Sequence, residues 1–278
     1  MDKERIDQLL VEMGLFESMA GARAAIIAGL IFVDDKRIDK AGHQVPKNSR
    51  IAVKGEPLKY ASRGGLKLEH ALGKFSINVS DRIALDVGAS TGGFTDCLLK
   101  AGAKKTYAID VGYGQLAWKL RSDPRVVVVE RTNVRYLKTE ELYGKKLSVV
   151  GGQGSEKASL AVIDVSFISL SKVLPAVYDL LNDQGEVVAL VKPQFEARRE
   201  QVEKGGIVRD TGVQSQVLAG VVESAMKIGF KFKDATYSPI KGADGNIEFF
   251  VYLSKCGSDI KIDFYEVVEE ANQVLGKG

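Results

Sequence analysis

DVGASTGGF, residues 86–94, closes an apolar run that begins at residue 82, and its reading decides the fold. Gly88, Gly92 and Gly93 remove Cβ atoms where a turn leaves a strand, so backbone can come close to a ligand. Working outward, further strand-like runs fall at 105–110, 126–130, 160–165, 186–192, 232–237 and 247–253. Helix-length segments fill the gaps, notably 93–100, 170–181 and 213–228. This alternation predicts a doubly wound, Rossmann-like α/β sheet with helices on both faces. The last two runs follow each other closely, which predicts an antiparallel hairpin at the sheet edge.

In such a sheet, ligands sit at the carboxyl ends of strands, near the point where strand order reverses. Asp110 ends the second run, where an acid commonly takes the hydroxyls of a ribose. The turn is not G-x-G-x-x-G, and no G-K-[ST] follows it. An adenosine-type cofactor without a pyrophosphate, S-adenosylmethionine, fits better. Its expected contacts are Asp86, Gly88, Ser90, Thr91, Gly92, Gly93, Asp110 and Asp164. Asn133 either meets the adenine edge or is an ordinary turn residue.

Lys67, Asp164, Lys192 and Glu248 form a second, scattered constellation. Strands four and five bring Asp164 and Lys192 to the rim that carries the glycine turn. A lysine beside buried acids can act as a base or neutralise a developing oxyanion. An ion-pair network at the rim accounts for the same residues equally well, because buried ions require partners. Phe195 and Glu196, just after Lys192, are candidates for a lid, although Phe195 also suits simple packing.

Residues 1–60 read as a compact unit of two helices and short strands. Ile6, Leu9, Leu10 and Met13 lie on one helical face that Gly14 closes; Ser18 caps a second helix that stops at Gly29. A stretch at 36–67 holds nine Lys/Arg against two acids, a local charge of +7 within a total of +3, leaving −4 elsewhere. That asymmetry suits a polyanion, although a solvated surface accounts for it as well.

The remaining composition narrows the class. With 278 residues, 45% hydrophobic and 27% charged, the chain is neither disordered nor collagen-like. Cys97 and Cys256 show neither disulfide nor zinc spacing, and Cys97 reads as a small core residue. His43 and His70 read as surface or turn residues, so no metal site is expected. Residues 262–275 predict an amphipathic helix packed on the domain. No secretory signal or spanning segment is legible, which suggests a cytoplasmic protein.

Lys67, Asp164, Lys192 and Glu248 match the K-D-K-E tetrad of FtsJ-like ribose 2′-O-methyltransferases. The stretches SRGGLK, DVGASTGGFTD, DVSFISL, KPQFE and KGGIVRD resemble the TlyA family of hemolysin-A-like rRNA methyltransferases. Residues 1–60 resemble the RNA-binding module named for ribosomal protein S4, with 61–278 as the methyltransferase domain. One departure is the expected Asn-Gly turn, which is Asp34-Asp35 here; another is Met19, where a basic residue usually follows the capping Ser.

The resemblance implies an enzyme that methylates a ribose 2′-hydroxyl of rRNA, free or in ribosomal subunits, with the tetrad as its catalytic set and no obligate protein partner. It also implies RNA contacts from Arg5, Arg23, Lys36, Arg37, Lys47, Arg50, Lys54 and Arg63. The competing classes are a membrane-active hemolysin and a non-catalytic RNA-binding factor. Pores need spanning helices or long alternating hairpins, neither of which the sequence carries.

Overall fold

The computed structural model describes residues 3–16, 19–27, 29–53, 59–144 and 156–276. The expected Ser18 cap, Lys54 and residues 151–155 lie outside them.

The N-terminal unit runs β1 (Lys3–Arg5), α1 (Ile6–Glu12), α2 (Met19–Ile27), β2 (Ile31–Val33), β3 (Lys36–Arg37), β4 (Gln44–Pro46) and β5 (Ile51–Val53). β1 pairs with β4, while β3, β2 and β5 form a second small sheet. Ile6, Leu10, Ala22, Ile26, Ile31 and Val45 make its core. Met13, expected on the apolar face, is 51% exposed because α1 ends before it and Gly14 turns the chain at φ +69°. Asp34 and Asp35 both take positive φ, 48° and 63°, to make the two-residue hairpin turn between β2 and β3. Asp tolerates this left-handed geometry better than most residues, and Asp34 also accepts a hydrogen bond from the Arg50 amide at 2.9 Å.

The larger unit is built on one seven-stranded sheet. Its elements are α3 (Gly64–Lys74), β6 (Ile83–Val87), α4 (Gly93–Lys100), β7 (Lys105–Ile109), α5 (Trp118–Arg121), β8 (Val126–Val129), α6 (Thr139–Tyr143) and β9 (Ala158–Ile163). Then come α7 (Leu174–Leu180), β10 (Leu181–Val191), α8 (Pro193–Glu196), α9 (Thr211–Ile228), β11 (Lys231–Tyr237), β12 (Phe249–Ser254) and α10 (Phe264–Leu275).

The strand order is β11-β12-β10-β9-β6-β7-β8. Side chains alternate between two cores because successive strand residues point to opposite faces. Leu160 and Val162 join α3 and α4 on one face; Ala161 and Ile163 join α7, α9 and α10 on the other. The doubly wound expectation is met. α10 carries the predicted stripe, with Val268 and Ala271 fully buried.

Three differences have local causes. α9 starts at Thr211, ahead of the expected 213, because the Asp210 carboxylate caps it by accepting from the Val213 amide at 2.9 Å. The expected helix at 170–181 begins instead as a 3-10 turn, Leu170–Lys172, and Pro175 then sits at the start of α7. The closing hairpin does form, but only β11 is an edge strand: β12 inserts between β11 and β10, antiparallel to both. That insertion matters for the site. An antiparallel strand begins where its parallel neighbours end, so Phe249 pairs with Val191 and the preceding Glu248 lies beside Lys192 at the carboxyl rim.

Candidate active site

β6 and β9 are neighbours, yet the chain runs from β6 through β7 and β8 before returning to β9. Their carboxyl ends therefore flank the crevice where the strand order reverses. The Asp164 amide donates to the Val87 carbonyl at 2.9 Å and the Gly88 amide to Ile109 at 2.9 Å, which fixes the turn across three strands.

The glycines work differently from the first expectation. A Cβ on Gly88, at φ +89°, would strike the Asp164 carbonyl; on Gly92, at φ +93°, it would strike Leu120; on Gly93, it would strike Ser62. Each missing side chain admits another part of the protein, so α3, α5 and the β9 end close around the turn. The approach to a ligand is left to backbone at Gly88, Ser90, Thr91 and Gly93, which line the clefts.

Asp86, expected to meet the cofactor, stands behind the turn and outside both clefts. It is fully buried and accepts from Thr95 Oγ1 at 2.6 Å. Its Oδ1 finds no hydrogen-bond partner among the described residues. Burial pushes the carboxyl up to about 7, Thr95 pulls the other way, and the nearby Asp164 charge adds to the rise. Asp86 supports the turn from behind.

Asp110 stands just past β7, with Oδ2 accepting from the Ser90 amide at 2.8 Å and Oδ1 from the Gly112 amide at 2.6 Å. These bonds orient the carboxylate, and a carboxylate oxygen has a further lone pair for a hydroxyl. Asn133 is exposed and caps the 3-10 turn Val134–Tyr136 by accepting from the Arg135 amide at 3.2 Å. It lines the same cleft as Asp110, so capping leaves its amide side available.

Lys67, Asp164, Lys192 and Glu248 come together. Lys192 Nζ lies 2.6 Å from Asp164 Oδ1 and donates to Ser166 Oγ at 3.0 Å. Lys67 Nζ donates to Glu248 Oε2, with the two side chains 11% and 3% exposed. Burial raises the Glu248 carboxyl, Lys67 and then Lys192 oppose the rise, and Asp164 adds to it, so the two ion pairs sense each other. Gly242 leaves room for the Glu248 carboxylate, where a Cβ would collide with Oε1. Ser166 and Gly242 were not singled out in the sequence, although Ser166 lies in DVSFISL.

Two cavities meet at this rim. The larger, about 550 Å³, is lined by Lys67, Arg63, Ser62, Trp118 and Lys241, with Arg23 and Ile27 from the N-terminal unit. The smaller, about 430 Å³, is lined by Asp110, Asn133, Val134, Phe167 and Ile168. Gly88, Ser90 and Asp164 belong to both walls. Apolar walls, a carboxylate and exposed backbone suit the smaller cavity to a nucleoside. Phe167, at φ +62° and 91% exposed, faces Phe195 with ring centroids 5.0 Å apart. Glu196 is no lid: it accepts from Ser169 Oγ at 2.6 Å and the Leu170 amide at 2.7 Å, tying α8 to that loop. His70 is half-buried: it lies on α3, not in a turn, and packs against Tyr237, with centroids 6.0 Å apart, and burial lowers its pKa.

The cations expected to meet RNA are partly neutralised in place. Arg5 and Arg23 both pair with the buried Asp7, at 2.8 and 2.9 Å, and hold its carboxyl down to about 2. Lys47 pairs with Glu4 at 3.2 Å and Arg50 with Asp35. Lys36 and Arg37 are exposed on β3 and take no carboxylate partner among the described residues. Arg63 is exposed at the start of α3.

Comparison with known proteins places this geometry. The FtsJ-like methyltransferase model matches residues 60–255 and the S4 domain model residues 4–51. YqxC of Bacillus subtilis (strain 168), an rRNA methyltransferase candidate, is 48% identical over 279 residues, covering 98% of this chain and 95% of that protein. TlyA of Mycobacterium tuberculosis (strain ATCC 25618 / H37Rv), a 16S/23S rRNA (cytidine-2′-O)-methyltransferase, is 41% identical over 252 residues, 90% of each chain. A solved structure from Streptococcus thermophilus, a hemolysin candidate, is 45% identical, covers 100% of this chain and 98% of that one, and gives a TM-score of 0.76.

Proposed function

We propose, on the premise that this chain belongs to the FtsJ-like methyltransferase family, that it methylates a ribose 2′-hydroxyl of ribosomal RNA with S-adenosylmethionine. The observation that carries this reading is the convergence of Lys67, Asp164, Lys192 and Glu248, from separate elements, with Asp164 lining both cavities, Lys67 the larger one, and Lys192 and Glu248 paired to them. The TlyA relative's name makes a cytidine the first nucleotide to test.

The cofactor fits the smaller cavity: Asp110 and the Gly88–Ser90 backbone would hold its ribose and methionine parts, and Asn133 the adenine edge. When bound, S-adenosylmethionine supplies a methyl group activated by a sulfonium. The target ribose would enter the larger cavity, which Lys67 and Asp164 line. Lys192 Nζ, steered by Asp164 and Ser166, orients the hydroxyl as a donor; once Nζ has released its own proton to solvent, the neutral amine takes the hydroxyl proton as the oxygen attacks. The Lys67–Glu248 pair keeps the four side chains formally neutral and holds the adjacent wall rigid. Alignment of two substrates in adjoining clefts supplies much of the acceleration.

A division near residue 60 fits this reading. One apolar cluster draws on residues 6–51 and the next begins at Tyr60, with RNA contacts assigned to Arg5, Arg23, Lys36, Arg37, Lys47, Arg50, Lys54 and Arg63. The hemolysin reading finds less support: among the described residues, no helix is long and apolar enough to cross a membrane. A non-catalytic RNA binder would have no need of the assembled tetrad.

Purified protein incubated with labelled S-adenosylmethionine and ribosomal subunits should place label on RNA, recovered as 2′-O-methylated nucleoside on digestion. Label on a base, or lysis of membranes without labelled RNA, would overturn the proposal.

A further inference from the structure

We infer that Trp118 is a stacking platform for an RNA base beside the methylated nucleotide, an inference that rests on the RNA reading above. Trp118 is 74% exposed, although burying such a ring is among the largest gains a fold can make. Its backbone is firmly held. Leu116 and Leu120, both buried, fill the space that Gly92 leaves, and the Ala117 amide donates to the Thr91 carbonyl at 3.2 Å. Lys119, the next residue, is tied to Asp96 at 2.8 Å. The ring is therefore presented to solvent by a rigid support.

Its surroundings select the partner. Trp118 lines the larger cavity together with Lys67, so whatever covers the ring lies next to the site of reaction. That wall carries Arg63 and Lys241 together with Arg23 and Lys67, whose charges Asp7 and Glu248 balance, and Asp164 is the one acid among its described lining residues. Ile27, 65% exposed, adds an apolar side chain from the N-terminal unit. A cationic cleft with a flat aromatic ring matches a single-stranded nucleic acid, whose phosphates meet the cations while a base meets the ring. An acidic peptide would satisfy the charge but not the ring.

The chain has one tryptophan, so its fluorescence reports on position 118 alone. Titrating the full-length protein with deproteinised ribosomal RNA should quench and shift that emission. Inorganic polyphosphate, a polyanion without bases, should bind without the shift. Trp118→Ala should weaken RNA retention on filters about tenfold, one stacked base's share. Trp118→Phe should stay within about threefold, and both variants should bind S-adenosylmethionine as the parent does. RNA binding with silent tryptophan emission, equal retention by Trp118→Ala, or a polyphosphate response equal to that of RNA would overturn this inference and leave the methyltransferase reading intact. Failure of the parent protein to bind RNA at all would overturn both.

Discussion

Asp86→Asn isolates the electrostatics behind the cofactor turn. The parent carboxyl is wholly buried and pushed up to about 7 by burial, against an ordinary value of 3.8. Between about pH 4 and pH 7 the native state therefore keeps a proton that the unfolded chain has released, and stability falls as pH rises through that window. Each unit of displacement corresponds to about 1.4 kcal/mol, so the loss reaches at most about 4 kcal/mol by pH 8. Asparagine keeps an oxygen for the Thr95 hydroxyl, has similar volume and does not titrate. Urea unfolding of parent and variant, followed by circular dichroism at several pH values, reads the difference directly. The two should be nearly equal at about pH 4, and the variant should gain steadily until it leads by several kcal/mol at about pH 8. A difference that stays constant across this range, or narrows, refutes the account of Asp86 as a buried acid kept protonated by its surroundings.

Lys192→Ala should lower methyl transfer by about 10²- to 10⁴-fold, the usual share of a proton-transfer group, while calorimetry finds S-adenosylmethionine binding unchanged. Lys67→Met leaves Glu248 buried without its partner, which should cost about 3 kcal/mol at neutral pH in a denaturation experiment. Because the bare Glu248 carboxyl can take up a proton, that loss should shrink toward pH 4.5. Asn246→Ala should cost about 1–3 kcal/mol and lower kcat more than it raises KM. Its buried amide accepts from the Val208 amide and donates to the Gly206 carbonyl, bracing the KGGIVRD loop against the segment that carries Glu248. Neutralising Lys36 and Arg37 should lower the salt slope of RNA binding by about one unit for each phosphate that either cation meets. Lys47 and Arg50, already paired with Glu4 and Asp35, should matter less.

The architecture is legible in the sequence, because it depends on local and periodic information. Apolar runs spaced by helix-length segments, a glycine turn after the first and an acid after the second are enough to specify a doubly wound sheet and the rim where its ligands sit. The four tetrad residues were also legible, but only as members of a known pattern. Their types and positions fitted an inert ion-pair network just as well.

The part each residue plays emerges only on packing, because it depends on neighbours distant in the chain. Glu248 reaches Lys67 across 181 positions only because β12 runs antiparallel inside the sheet and starts where β10 ends. The place of Asp86 in the motif predicts a cofactor contact; burial makes it a support behind the turn. The glycines looked like openings for a ligand, yet their missing side chains admit Leu120, Ser62 and the Asp164 carbonyl. The +7 segment looked uniformly available, but folding brings Glu4 and Asp35 to two of its cations. Periodicity fixes which face a side chain takes. Which partner waits there, and how much water remains, is settled only when the elements pack.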